Sequence, residues 1–207
     1  MDKPTEKTFL LDVKEHRLQI IRDDGLYRHL RFKKDLSSTM YFDIVTWPLY
    51  IVFTGDMGTY CFGKTEDMFC FFRDIYRSNE LSINPSYWEE KVVSESIYGE
   101  GINEFSIEKF RYNILCYVKI QLNMDESATI PEDIMNEISE ILSAEDEYEA
   151  VTALRNFSSD IINFYDFWEY DCTEYTYHYL WCCYAIVWGI MQYDFAKDNC
   201  KNIEDIT

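Results

Sequence analysis

The residue types best suited to proton transfer, metal binding or nucleophilic attack are few: His16, His29, His178 and seven cysteines in 207 residues. His178 and Cys182 stand four apart in an apolar stretch that reads as helix, so they share a face. A zinc site needs at least three protein ligands. The adjacent Cys183 points elsewhere on a helix, and no third ligand is spaced to join, so the pair reads as core. The expectation is no metal and no cofactor. The cysteines (61, 70, 116, 172, 182, 183 and 200) sit in apolar strands or helices, where burial raises a thiol pKa and leaves it inert. No Gly-x-Ser-x-Gly elbow, His-Glu-x-x-His helix or Gly-rich phosphate loop is present. Glu89-Glu90 and Asp23-Asp24 are adjacent pairs, and adjacent residues do not share a face. The chain presents no catalytic residue, and an enzyme is the lesser expectation.

Two other groups bear on binding. Tyr27, Arg28, His29 and Arg31 follow the Asp23-Asp24-Gly25 turn. On a strand Tyr27, His29 and Arg31 point one way, and Arg28 points with Leu26, Leu30 and Phe32. A buried Arg28 needs a carboxylate, and Asp43, the lone acid of an apolar strand, is the expected partner. The same four residues are the polar contacts for a small molecule or nucleotide, should the sheet bind one. Asp56, in Gly55-Asp56-Met57-Gly58, is what a hairpin turn asks for. The second group is the acidic, aromatic stretch Asp160–Asp171 (DIINFYDFWEYD). There Asp160, Asp166, Trp168, Glu169 and Asp171 are the candidate partner-binding residues.

The elements that must position these groups follow from hydrophobic period. Leu18–Arg22 and Leu26–Phe32 alternate around Asp24-Gly25, a strong hairpin signal. Met40–Trp47 and Leu49–Thr54 are separated by Trp47-Pro48, where proline interrupts the ladder. Gly55–Gly58 turns into Thr59–Phe62. The whole of 1–64 reads as strands, a meander of four or five. Its apolar strands Tyr41–Trp47 and Leu49–Phe53 are expected to be covered on both faces. From residue 65 the period becomes helical: Glu66–Tyr76 with Thr65 as N-cap, then a long connection with a short strand near Lys91–Val93. Ser106 caps a helix to about Met124. Thr129-Ile130-Pro131-Glu132 fits a capping box ahead of Ile134, Ile138 and Ile141. Ser143 opens another helix, and Thr173 or Glu174 begins a last one, apolar nearly all round and therefore enclosed. The expected fold is one α+β domain over 1–207: an N-terminal antiparallel meander sheet packed against a C-terminal helical layer.

Charge divides the chain. Residues 1–78 carry 12 Lys+Arg and 12 Asp+Glu, whereas 79–207 carry 7 and 26. The net charge of −19 thus belongs to the second part, which repels nucleic acid and anionic membranes and attracts basic partners. Aromatics make up 17% of residues, too many for an acidic disordered tail. The 36 aromatics exceed what a core of this size needs, which leaves a homodimer open. No signal peptide opens the sequence, and Tyr179–Ile190 is too short to span a bilayer. Seven cysteines with no signal peptide point to a reducing cytosol, and an odd count without regular spacing argues against a disulfide framework.

The stretches RDDGLYRHLRFKK (22–34), YFDIVTWPLYIVFTGDMGTYCFGKTEDMFCFFR (41–73), INPSYWEEK (83–91), FSIEKFR (105–111) and YHYLWCCYAIVWGIMQYD (177–194) resemble a widespread family of small bacteriophage and prophage proteins of unknown function. The resemblance runs nearly end to end and brings no activity, cofactor or catalytic residue with it. It implies a phage accessory protein acting in the host bacterial cytoplasm. With no catalytic motif and an acidic second part, the expected function is binding and inhibition of a host defence or nucleic-acid-processing protein. That reading is anti-CRISPR-like, with the acidic surface as a nucleic-acid mimic, no direct nucleic-acid contact and no membrane. The alternative is a small-molecule or nucleotide-binding protein or enzyme using the N-terminal sheet. A phage structural component is the weakest reading, since nothing in the sequence demands assembly.

Overall fold

Period-two alternation from Arg17 to Gly63 gives five consecutive strands: β1 (Arg17–Asp24), β2 (Tyr27–Lys33), β3 (Phe42–Trp47), β4 (Tyr50–Gly55) and β5 (Gly58–Gly63). These come from a computed structural model that describes residues 2–37, 39–73, 81–95 and 101–204, with side chains to residue 198. A sixth strand, β6 (Val92–Glu95), joins β5, and the sheet order β1-β2-β3-β4-β5-β6 is antiparallel throughout. Gly25 (φ 59°) and Gly58 (φ 90°) supply the left-handed residues of two hairpin turns. Asp56 is structural, its carboxylate accepting the Met40 N–H at 2.6 Å. These strands gather in one antiparallel sheet and the longer helices follow it, so the chain is α+β.

The chain forms two compact units, Met1–Ile102 with Tyr175–Thr207, and Asn103–Glu174. The change of composition near residue 78 does not coincide with either crossing, because the last helix belongs with the sheet.

In the first unit α1 (Glu6–Val13), α2 (Met68–Arg73), α3 (Pro85–Glu89) and the 28-residue last helix, α8 (Tyr177–Glu204), share one core with the sheet. α1 corrects the all-strand expectation for the N-terminus. Thr5 and Thr8 cap it reciprocally, and only Phe9 and Val13, one turn apart, point inward. Residues 74–76 of the helix expected over Glu66–Tyr76 lie outside the described residues. Its cap is Asp67 rather than Thr65, with Oδ1 accepting the Phe69 N–H at 2.9 Å. α8 starts later than expected because Thr176 is its cap, accepting from the Tyr179 N–H at 3.2 Å and donating to the Gly101 carbonyl at 2.7 Å. Gly189 lets α8 approach the sheet: a Cβ there would stand 2.6 Å from Ile44 Cδ1. Phe9, Phe32, Phe42, Trp181 and Trp188 pack edge-to-face and stacked at the centre.

The helices lie against one sheet face. Leu30, Phe32, Phe42, Ile44, Ile51, Phe53 and Phe62 on that face are fully buried. On the other, Val45, Val52 and Cys61 are only half-buried, contrary to the expectation of cover on both sides. The β3–β4 turn, Trp47-Pro48-Leu49-Tyr50, puts Leu49 at φ 77° with its side chain 49% exposed. A left-handed conformation strains a residue with a Cβ by roughly 1–2 kcal/mol, and here burial returns little. Leu49→Gly should therefore raise stability by about 0.5–1 kcal/mol after glycine's larger entropy loss. Urea denaturation would detect it; a lower midpoint would contradict the strain.

The second unit holds α4 (Ile107–Gln121), α5 (Glu132–Glu137), α6 (Ser139–Ser143) and α7 (Glu147–Asn156), around their own core of Phe110, Ile114, Val118, Ile134, Ile138, Ala150 and Phe167. Ser106 caps α4 as expected, accepting from the Lys109 N–H. The capping box ahead of α5 does not form, since Pro131 is the N-cap and offers no side-chain acceptor. Ser143 closes α6 instead of opening a helix, and Asp146 caps α7. A two-stranded ribbon, β7 (Asn103–Phe105) with β8 (Thr173–Tyr175), completes the chain.

Candidate functional site

The acidic, aromatic stretch 158–172 is a surface loop of the second unit, with one 3₁₀ turn at Phe167–Glu169. Side chains pin it along its length. Gln121 of α4 accepts from the Asn163 N–H at 3.1 Å and donates to the Asn163 carbonyl at 2.5 Å. Asn113 donates to the Asp171 carbonyl at 3.0 Å. Ser159 donates to Glu137 at 2.7 Å and accepts from the Ile161 and Ile162 N–H groups. Ile162, Phe164 and Phe167 turn into the core, and Phe167 stacks on Tyr170 at 5.5 Å.

What remains outside is apolar and acidic together. Ile161, Tyr165 and Trp168 are 57%, 84% and 56% exposed, beside exposed Asp160, Asp166 and Glu169. Asp171 differs. Its Oδ1 accepts from the Thr173 N–H at 2.9 Å and hydroxyl at 2.7 Å, and Lys109 stands 3.5 Å from its other oxygen. Those contacts hold its carboxyl below the usual range, the Thr173 hydroxyl contributing most. Asp171 thus anchors the loop. A cleft of about 300 Å³ beside Trp168 is lined by Arg155, Phe157, Ser158, Asn163 and Tyr165. The unit carries 17 Asp+Glu against 4 Lys+Arg.

The second candidate group splits between the two faces of the sheet. Arg28 faces the core and is 8% exposed. Its partner is Asp67, in a bidentate pair at 2.9 and 3.0 Å, and its guanidinium lies 4.5 Å from the Phe69 ring centroid. Asp43 is on the opposite face, because it is registered against Arg31 and not against Arg28. It accepts two hydrogen bonds from Arg31, at 2.8 and 2.7 Å, and stands 2.8 Å from His29 Nε2. The expected Arg28–Asp43 pair is therefore replaced by two pairs. Burial works against both carboxylates. Arg31 and His29 outweigh it for Asp43, Arg28 and the Phe69 N–H for Asp67, and both pKa values lie below normal. Tyr27, His29 and Arg31 share the more open face, where Arg22 lies 5.2 Å over the Tyr27 ring.

Sequence reasoning missed Asp67, whose role needs both a helix cap and a cross-sheet cation. Asp67-Met-Phe-Cys was legible as an N-cap alternative to Thr65, since Asp is among the preferred caps. Burial raises the thiol pKa of Cys61, Cys172, Cys182 and Cys183. The side chain of Cys200 lies outside the described residues. Cys182 is fully enclosed and His178 half-buried, and among the described residues no three His, Cys, Asp or Glu side chains could together hold a metal ion. No helix among the described residues is long and apolar enough to cross a membrane. Compared with protein-family models, with curated proteins and with solved structures, the chain matches none.

Proposed function

We propose that this chain is an interaction protein: a phage accessory protein that binds and inhibits a host defence or nucleic-acid-processing protein in the bacterial cytoplasm. The observation that carries the reading is the clamped loop, which presents Tyr165 and Trp168 beside Asp160, Asp166 and Glu169. Rigid, exposed aromatics supply anchors at little entropic cost, and carboxylates steer a basic partner. A surface held by Gln121, Asn113 and Ser159 before binding avoids much of the cost of ordering a loop. Channels built for phosphates are lined by Lys and Arg, the complement of this unit's 17 acids. For the small-molecule or enzyme alternative, which would use Tyr27, Arg28, His29 and Arg31, no comparable observation speaks: Arg28 faces the core against Asp67, and Asp43 engages both His29 and Arg31.

The test is co-purification of the tagged protein from its bacterial host, with and without added DNA. A stoichiometric partner should be retained, be displaced by DNA, and be lost when Asp160, Asp166 and Glu169 are changed to Lys or Trp168 to Ala. Retention by all four changed residues would place the interface elsewhere. Asp171 is left unchanged, since its reversal would release the loop.

A further inference from the structure

The outer side of α4 carries apolar side chains used neither by the buried core of the second unit nor by the loop at 158–172. Residues four apart on a helix form ridges, and two such ridges meet here, Tyr112-Cys116-Ile120 and Leu115-Lys119. With Met124 and Glu126 from the segment after α4 they line a groove of about 540 Å³. Tyr112 and Ile120 are 61% and 64% exposed, beside half-buried Leu115, Cys116 and Met124. The first ridge climbs about 12 Å along the helix axis, a little over two turns. The backbone of α4 is taken up by its own hydrogen bonds, so the groove offers side chains and no ladder.

The charge around the groove is negative and unspent. Glu108 stands one turn before Tyr112 and continues its ridge, and Asp125 and Glu126 close the other end. All three are exposed, and among the described residues their carboxylates make no hydrogen bond or ion pair. The charge of Glu126 reaches the groove: the neighbouring Cys116 thiol first, and Glu126 after it, push the Tyr112 hydroxyl above its ordinary pKa. Lys119, the cation of the second ridge, donates to the Glu126 carbonyl at 2.6 Å and so answers none of the three carboxylates.

We propose that this groove receives a basic amphipathic helix of a protein partner. An extended segment would lay backbone N–H and C=O groups on side chains that cannot pair them, whereas a helix arrives with its own hydrogen bonds made. Apolar residues at i, i+3, i+4 and i+7 of that helix fill the space between the two ridges. Its Lys and Arg meet Glu108 at one end and Asp125 and Glu126 at the other. A second copy of this chain fits worse. Antiparallel docking of α4 on itself sets Glu108 of one copy against Asp125 and Glu126 of the other, and parallel docking sets each acid against its own kind. An anionic membrane meets the same repulsion. The inference stands apart from the loop's role, since it uses no residue of 158–172.

The experiment is fluorescence anisotropy of a labelled peptide of leucine and lysine, with leucine at i, i+3, i+4 and i+7, titrated with the full chain. The same peptide with glutamate for lysine is the control. The lysine peptide should bind, the glutamate peptide should not, and affinity should fall as salt rises. Ile120→Ser and Tyr112→Ser leave the charge unchanged and should each weaken binding by about tenfold, through lost apolar contact. Unchanged melting temperatures would show that both variants fold. Bound peptide should also shield Cys116 from iodoacetamide, read by mass spectrometry, and Trp168→Ala should bind it as the wild type does. No anisotropy change at the highest protein concentration attainable would overturn the proposal. So would binding that ignores both serine substitutions, or that is lost with Trp168→Ala. Sedimentation velocity supplies the remaining outcome: a dimer dissolved by Ile120→Ser would assign the groove to a second copy and overturn the partner helix.

Discussion

Asp67→Asn should be among the most damaging single substitutions outside the apolar core. The change keeps a side-chain acceptor for the Phe69 N–H, so the cap of α2 survives. What it removes is the charge facing Arg28, a guanidinium 8% exposed whose Nε has no hydrogen-bond partner among the described residues. Taking one partner from a buried pair leaves an uncompensated charge, which costs about 3 kcal/mol. For a chain of this length that is a fall of roughly 6–12 °C in melting temperature. Adding Arg28→Met should restore most of the loss, because an apolar side chain can pack against Phe69 and Tyr193 without needing a carboxylate. If the double variant melts no higher than Asp67→Asn alone, the damage lies in the helix cap and not in the stranded charge. Calorimetry on wild type, the two single variants and the double variant measures this directly.

Asp43→Asn should destabilise less, by about 2 kcal/mol, because its partners keep some water. Arg31 and His29 side chains are 38% and 30% exposed, against 8% for Asp43 itself. The pH dependence separates this substitution from a packing defect. The folded pKa of Asp43 is depressed, so its contribution is fully present above the unfolded value of about 3.9. It disappears as the pH falls from there through the lower folded value. The wild type should therefore lose more stability than Asp43→Asn over that acidic interval, and the two melting curves should converge. A constant gap down to the lowest pH would show that the carboxylate charge is not what stabilises the sheet. Asp67 titrates in the same sense, so Asp67→Asn should converge with the wild type in the same way.

These two aspartates also show where sequence reading stops. Asp43 is conspicuous as the one acid in an apolar strand, and Arg28 as a cation on the apolar side of its own strand. Pairing them is reasonable when only strand parity within each segment is known. Parity between strands depends on register, and the register of β2 against β3 is fixed by the connection between them and by which faces are buried. Setting Arg31, and not Arg28, opposite Asp43 puts the two expected partners on opposite faces.

By itself the amino-acid sequence determined the antiparallel meander, the helical second part, the enclosed last helix and the acidic aromatic stretch at 160–171. Each depends on neighbours a few residues apart: alternation, Asp-Gly and Gly-x-x-Gly turns, a serine before a helix, or a run of acids. Only the tertiary structure decided the rest. It returned the chain to the sheet as α8, exchanged one expected ion pair for two, and buried Ile162, Phe164 and Phe167 so that Tyr165 and Trp168 stay outside. It also left one sheet face half-open, where two apolar strands had implied cover on both sides. The physical reason is common to all four. Burial and ion pairing are contacts between residues far apart in the chain, and the free energy that selects them depends on packing that no local pattern encodes.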